Sequence, residues 1–403
     1  MTRASLLCLV LLAQGREPGP APRLDAWQVL GPGGGGTMRR PAVSPHDPDV
    51  VVLGCDMTGS YLTRDGGLSW RLFHLGGVVS AFAFDPGDAN VVYAGNSGLW
   101  RSEDGGRRWS LVFPDPARHT VRHGWGDHGD TVLTTEDPAY PSGKDVDVDA
   151  VAVDPADSKR LAIAFRSTFP GPPGSHPSSA TRVLVSEDRG RSWSARATLE
   201  AERVFVLSFE EGGRLRAVAE TGVYALERDT QREPGPPGSR IVSASVGVAD
   251  GRTRIYATTR GNGIQVSEDG GRTWRAANGN LAEGLRGPEK GNEWGPAAGS
   301  RPSLGPIAAS ARHGLVAYVG FRGLTLPGSQ HPANGIAKTT DGGRTWSVVH
   351  AEADRPSSNL EPSWIESRAR EDGQSVWFDA PYDLAVAPGA PDVCYATDLF
   401  RTA

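Results

Sequence analysis

Cysteine is nearly absent, with three in 403 residues. Cys8 falls inside an N-terminal apolar run, so Cys55 and Cys394 are left for the rest of the chain. That excludes a disulfide scaffold, although a single Cys55–Cys394 bridge stays open. An excess of positive charge is missing too: 42 Lys and Arg face 47 Asp and Glu, for a net charge of -5. Nucleic acid and anionic membrane surfaces call for clustered cations, so neither is an expected partner. Apolar runs are short; Leu6 to Ala13 falls well below the roughly 20 residues a membrane-spanning helix needs. The chain also has no nucleophile elbow, phosphate-binding loop or dinucleotide fingerprint.

Glycine (52), proline (31) and tryptophan (11, against three methionines) are abundant. Many turns separated by rigid aromatics point to an all-β protein. The first residues, "MTRASLLCLVLLAQG", combine Arg3, the apolar run and small residues around Ala13 and Gly15. This is the pattern of a secretory signal over residues 1–15, with 16–24 as a flexible leader, so the expected location is secreted or periplasmic.

One pattern recurs five times: "TRDGGLSW" from Thr63, "SEDGGRRW" from Ser102, "SEDRGRSW" from Ser186, "SEDGGRTW" from Ser267 and "TTDGGRTW" from Thr339. Its consensus is Ser/Thr-x-Asp-x-Gly-x-x-Trp. The hydroxyl and the carboxylate suit backbone amides of a tight turn, glycine supplies positive φ, and tryptophan packs between units. Each such box reads as a β-hairpin turn. Upstream of each lies an alternating strand, a short Pro/Asp/Gly turn and a second strand, as in "SAFAFDPGDANVVYAGN". Two further units lack the box, which gives seven, starting near residues 41, 79, 149, 204, 241, 305 and 382. Four short strands per unit indicate a seven-bladed β-propeller over 25–403. "DAWQVLGP" at 25–32 is a spare strand that would close the ring. The alternative is the front part of a longer chain.

With strands a to d counted outward from the axis, the a–b and c–d turns share one face, and the b–c and d–a loops share the other. The a–b turns are all short and the boxes are c–d turns. Every long insertion (113–148, 166–180, 276–303, 322–334, 350–380) falls on the b–c/d–a face, which is therefore the expected binding face. Asp65, Asp104, Asp188, Asp269 and Asp341 belong to boxes and are expected to be structural. Asp56 lies in a b–c loop near the axis and is the better chemical candidate.

The boxes resemble the Asp-box, or BNR, repeats of sialidases, of the Vps10 and sortilin receptors, and of the xyloglucan-active enzymes of glycoside hydrolase family 74. Boxes serve enzymes and receptors alike. "WQVLGPGGGGTMRRPAVSPHDPDVVVLGCDMTGSY" is a more specific likeness to the opening of the xyloglucanase family. It has a Trp strand, a glycine run, Ser-Pro, Asp-Pro-Asp and an Asp-x-x-Gly-x-Tyr loop. The resemblance implies that Asp56 is the general base of an inverting hydrolysis of a β-glucan or xyloglucan, with Gly59 and Tyr61 in the same loop. The loop departs from the family in placing Thr58 where a glycine is usual. Family members also carry a second propeller that supplies the partner acid; if that domain is missing from this chain, Asp56 is half of a pair.

Glycoside hydrolysis takes two carboxylates, about 6.5–9.5 Å apart for inversion. Asp398 is the pseudo-equivalent of Asp56 one blade away and is the first candidate acid; Glu293, Glu361, Glu366 and Asp379 come next. Trp125, Trp294, Trp364 and Trp377 are candidate platforms for a sugar face, and Tyr61 is a further candidate substrate-binding residue. The Phe/Tyr-Arg-Ile-Pro signature of sialidases is missing. His119, His123, Asp127 and His128 could ligate a metal, but a solvated loop is the simpler reading. Asp145, Asp147 and Asp149 lack the central Gly and closing Glu of a calcium loop and read as leading into a strand. No cofactor or metal is expected. The expected partner is a polysaccharide or oligosaccharide, the alternative being a non-catalytic propeller that binds protein or glycan.

Overall fold

A computed structural model describes residues 27–28, 30–32, 36–123, 131–140, 144–169, 178–201, 203–227, 229–286, 302–326, 332–352 and 381–397. The described residues form β-strands and a few short 3-10 helices, with no α-helix among them. Among the described residues no helix is long and apolar enough to cross a membrane.

Six antiparallel sheets have four strands each, in sequence order. The first holds β1 (Met38–Val43), β2 (Val51–Cys55), β3 (Gly59–Thr63) and β4 (Arg71–Phe73). The second holds β5 (Ala81–Phe84), β6 (Val92–Gly95), β7 (Leu99–Ser102) and β8 (Ser110–Phe113). A hairpin of β9 (His119–His123) and β10 (Thr131–Thr135) follows. The third sheet is β11 (Lys144–Val153), β12 (Leu161–Phe169), β13 (Ser178–Ser186) and β14 (Ser194–Leu199). The fourth is β15 (Val204–Phe209), β16 (Leu215–Ala219), β17 (Gly222–Leu226) and β18 (Thr230–Glu233). The fifth is β19 (Ile241–Ala249), β20 (Arg252–Thr259), β21 (Gly263–Ser267) and β22 (Arg275–Ala276), and the sixth β23 (Ser303–Ala309), β24 (Ala317–Thr325), β25 (Pro332–Thr339) and β26 (Ser347–Glu352). A last unit has two strands, β27 (Asp383–Ala387) and β28 (Ala390–Thr397).

The arrangement is that of a β-propeller, and it corrects the strand count. Seven four-stranded blades were expected; the described residues hold six, plus a two-stranded unit. The spare N-terminal strand is not seen as a strand either: residues 27, 28 and 30–32 carry no strand pairing. Around 119–135 the expected loop is instead a paired hairpin, Thr131 opposite His123 and Thr135 opposite His119.

Burial explains why second strands such as β2 and β6 read as nearly continuous apolar runs. β2 and β16 are buried at every position because neighbouring sheets cover both of their faces, whereas outer strands such as β18 are largely exposed. The core accordingly lies between sheets. One apolar cluster joins the third and fourth sheets through Ala164 and Leu207, and another joins the fifth and sixth through Tyr256 and Phe321. The two-stranded unit packs on both sides: Val386 lies with Tyr318 of the sixth sheet, and Ala387 with Val43 and Val51 of the first.

Candidate functional site

Strand direction sorts the polar residues onto two faces, and the boxes occupy the first. Each closes through the same hydroxyl–aspartate–glycine contacts, and all but the second, where Arg108 stands in place of Ser or Thr, add a second hydroxyl. In the first box Thr63 Oγ1 donates to Asp65 Oδ1 (2.7 Å) and accepts from the Gly67 amide (2.9 Å), while the Ser69 hydroxyl donates to Asp65 Oδ2 (2.6 Å). Gly67 must be glycine, because its φ is +97° and a Cβ would lie 2.9 Å from Leu30. Hydrogen bonds from the Ser69 hydroxyl and amide pull the Asp65 carboxyl down to about 2. Asp341 is also brought down to about 2, with burial opposing and the Thr345 hydroxyl and amide prevailing. These aspartates are ionised turn clamps with their oxygens engaged.

On the opposite face, inner strands begin and second strands end. Asp56 stands there, one residue past β2, half-buried, with Met57 exposed beside it. Its Oδ1 accepts the Thr37 amide at 2.6 Å, its own amide donates to Thr37 O at 3.3 Å, and the Cys55 thiol lies 3.9 Å from Oδ1. Gly36, the last of the glycine run, is folded against this carboxylate: its φ is +114° and a Cβ there would sit 2.5 Å from Asp56 Oδ1. Asp56 is thus oriented by a backbone donor, and neither of these partners is an acid. Tyr61 packs with Met38, Leu53 and Cys55, and its hydroxyl pairs with Thr58 at 2.8 Å. The same bond joins Thr221 and Tyr224 in the fourth sheet, so the pair is a recurring loop brace.

A second group of charges lies at this end of the inner strands. The expectation that "KDVDVDAV" leads into a strand holds, since β11 carries it. Asp147 and Asp149, however, are drawn into a cluster. Arg166 on β12 reaches Asp149 at 3.2 Å and Asp147 at 3.4 Å, and Ser80, just before β5, donates to Asp147 at 2.6 Å. Burial pushes Asp149 up to about 6 despite Arg166, and raises Asp147 despite the Ser80 hydroxyl. The sequence hides this group, because an alternating Asp-Val run looks solvated until its distant partners are known. Nearby, Arg40 binds Asp383 through its amide (2.9 Å) and guanidinium (3.8 Å), and Arg39 stacks over Tyr382, 5.4 Å from the ring centroid.

The remaining sequence candidates Asp398, Trp125, Trp294, Trp364, Trp377, Glu293, Glu361, Glu366 and Asp379 lie outside the described residues, as do Asp127 and His128. His119 sits 2.6 Å from Pro116 O through Nδ1, and no group of three metal-ligating side chains occurs among the described residues. Cys55 and Cys394 lie in separate core clusters, so the bridge left open by the sequence is not formed.

No protein-family model matches the chain. A xyloglucanase from Paenibacillus sp. is 25% identical over 276 residues, which is 68% of this chain and 21% of that protein. The chain thus spans about a fifth of the length of this curated relative. Among solved structures, the family 74 xyloglucanase of Xanthomonas campestris superposes with a TM-score of 0.57 at 16% identity, covering 92% of this chain and 52% of that one. YCF48 bound to D1 peptide superposes with a TM-score of 0.50 at 14% identity, covering 90% of each chain. The fold is a β-propeller similar to those of family 74 enzymes and of YCF48.

Proposed function

We propose that the chain is an exported, glycoside hydrolase-like propeller that acts on a polysaccharide such as a β-glucan or xyloglucan, with Asp56 as general base. The observation that carries this is the Asp56 loop: a carboxylate oriented by the Thr37 amide at the inner end of the long-loop face. The similarity to a xyloglucanase supports it. In the proposed step Asp56 takes a proton from water as the water oxygen bonds to the anomeric carbon. The glycosidic C–O bond breaks on the opposite side, and an acid protonates the leaving oxygen. We assign that acid to Asp398, which follows β28, with Trp125, Trp294, Trp364 and Trp377 as platforms for the sugar chain. The boxes are read as Asp-box repeats. The proposed domain plan is a signal at 1–15, a leader at 16–24 and a propeller over 25–403. Its seventh blade would be completed by the N-terminal segment. Two bonds support that: Trp27 donates to Val349 O on β26, and Leu30 O accepts from Trp70 of the first sheet. In the same way Trp193 donates to Val112 O on the outer strand of its preceding sheet.

The test is reducing-sugar release from a panel of polysaccharides by the purified protein beside Asp56→Asn and Asp398→Asn. Loss of about 10²–10⁴-fold in activity is expected for removing a general base or acid. Unchanged release by Asp56→Asn would overturn the assignment. A non-catalytic propeller is the second reading, favoured by one observation: the Asp56 carboxylate has a backbone amide and a thiol as partners, as a turn clamp would. YCF48, a propeller of similar extent, is a peptide-bound example. Glycan binding that survives Asp56→Asn, without release, would favour it.

A further inference from the structure

The arginines of the two faces are used differently. On the box face they stitch each sheet to the next: Arg101 donates to Arg189 O (3.0 Å), Arg160 to Gly213 O (2.6 Å), Arg216 to Gly270 O (2.7 Å) and Arg275 to Gly342 O (2.6 Å). At the axial mouth on the other face, Arg40 and Arg166 are neutralised by Asp383 and by Asp147 with Asp149. Arg39 is not. It stacks on Tyr382, its Nε is buried with no acceptor, and no ion pair engages it among the described residues. Asp383, beside Tyr382, is already committed to Arg40, and Asp56 is committed to Thr37. A guanidinium partly removed from water without an acceptor is costly, and an anion supplied from outside relieves that cost.

Tyr382 supplies the second half of a site. Its amide is fixed on Thr397 O at 2.6 Å, yet its side chain is exposed, with 44% of its surface accessible. One ring face carries Arg39, and the exposed part of the ring is available to the apolar side of a pyranose. The pair lies close to Asp56: Arg39 is two residues along β1 from Thr37, roughly 7 Å on an extended strand.

We propose that Arg39 and Tyr382 form a subsite for a carboxylated sugar, so that the preferred glycan is a polyuronate or uronate-bearing chain rather than a neutral glucan. The proposal rests on the glycan reading above. The sugar carboxylate pairs with the outer nitrogens of Arg39 while the ring packs on Tyr382.

The test is direct titration of the purified protein, in low salt, with polygalacturonate, neutral xyloglucan, dextran sulfate and polyglutamate, beside Arg39→Gln, Tyr382→Ala and Tyr382→Phe. Thermal unfolding checks that each variant is folded; the exposed position of Tyr382 makes its variants usable even if Arg39→Gln fails to fold. Polygalacturonate is expected to bind about tenfold tighter than xyloglucan, and to lose about tenfold in Arg39→Gln and in Tyr382→Ala while Tyr382→Phe is spared. Equal or tighter binding of xyloglucan, with no effect of Arg39→Gln or Tyr382→Ala, overturns the subsite and leaves the glycan reading standing. Dextran sulfate binding as tightly as polygalacturonate overturns the carboxylate assignment. Binding of polyglutamate alone overturns both the subsite and the glycan reading.

Discussion

The two faces of the molecule are built from the same residue types and spend them differently. On the box face aspartates close turns and arginines cap carbonyls of the next sheet, so charge is converted into connection between blades. On the opposite face the charges converge at the inner strand ends. There Asp147 and Asp149 are held toward the neutral form, and Arg39 has no ion-pair partner among the described residues. The turn clamps and the candidate site are thus separated by strand direction: a turn residue is placed on one face or the other by which pair of strands it joins. Per-blade connection on one face frees the other to vary.

The largest expected effect breaks the stitching. Arg216 binds Glu210 through two contacts, 2.7 and 3.0 Å, and also donates to Gly270 O, and both side chains are largely buried. Arg216→Ala leaves the buried Glu210 carboxylate with only the exposed Arg214 guanidinium at 3.8 Å and is expected to cost about 3 kcal/mol. Urea unfolding measures it. A loss below about 1 kcal/mol, the scale of an exposed pair, would mean that the inter-sheet arginines do not hold the blades together.

Next in size is a pH effect that sets one face against the other. Asp149 titrates at about 6 in the folded chain against an ordinary 3.8, so between those values the folded state holds more protons than the unfolded one. Stability from this group therefore falls as pH rises from about 4 to about 6. The box aspartates run oppositely: Asp65 and Asp341, brought down to about 2, contribute stability that is lost as pH drops below about 4. Asp149→Asn is expected to flatten the slope between pH 4 and 6 by on the order of 2–3 kcal/mol and to leave the acid limb unchanged. Chemical denaturation across pH reads both limbs. An unchanged slope in the variant would show that Asp149 does not carry it.

These contrasts also mark what was legible beforehand. The boxes, the short turns and the alternating strands are local signals, and they led to the propeller arrangement and to the separation of faces. The Asp56 loop was found because its Asp-x-x-Gly-x-Tyr pattern lies within six residues. The role of Asp147 and Asp149 is not legible locally because their environment depends on Arg166 and Ser80, in another strand and another sheet. Arg39 and Tyr382 sit at opposite ends of the chain and meet only because the two-stranded unit packs on the first sheet. The count of seven full blades failed at the unit with neither a box nor outer strands among the described residues, where periodicity had the least to read.

The smallest effect concerns the box itself. Asp341 holds the Thr339 hydroxyl (2.8 Å), the Thr345 hydroxyl (2.6 Å) and the amides of Arg344 and Thr345 (both 2.9 Å). Such a set suggests a large contribution, yet the fourth sheet forms all four strands with no box between β17 and β18. Apolar packing across its faces is sufficient there, with Val218 and Val223 fully buried. The box therefore refines a hairpin that strand pairing already specifies. Asp341→Ala is expected to cost about 1–2 kcal/mol, the scale of exposed turn hydrogen bonds whose donors regain water. Calorimetric unfolding tests this. A cost above about 4 kcal/mol would make the box a condition for folding its blade, and the stability of the boxless fourth sheet would then need a source other than the packing seen here.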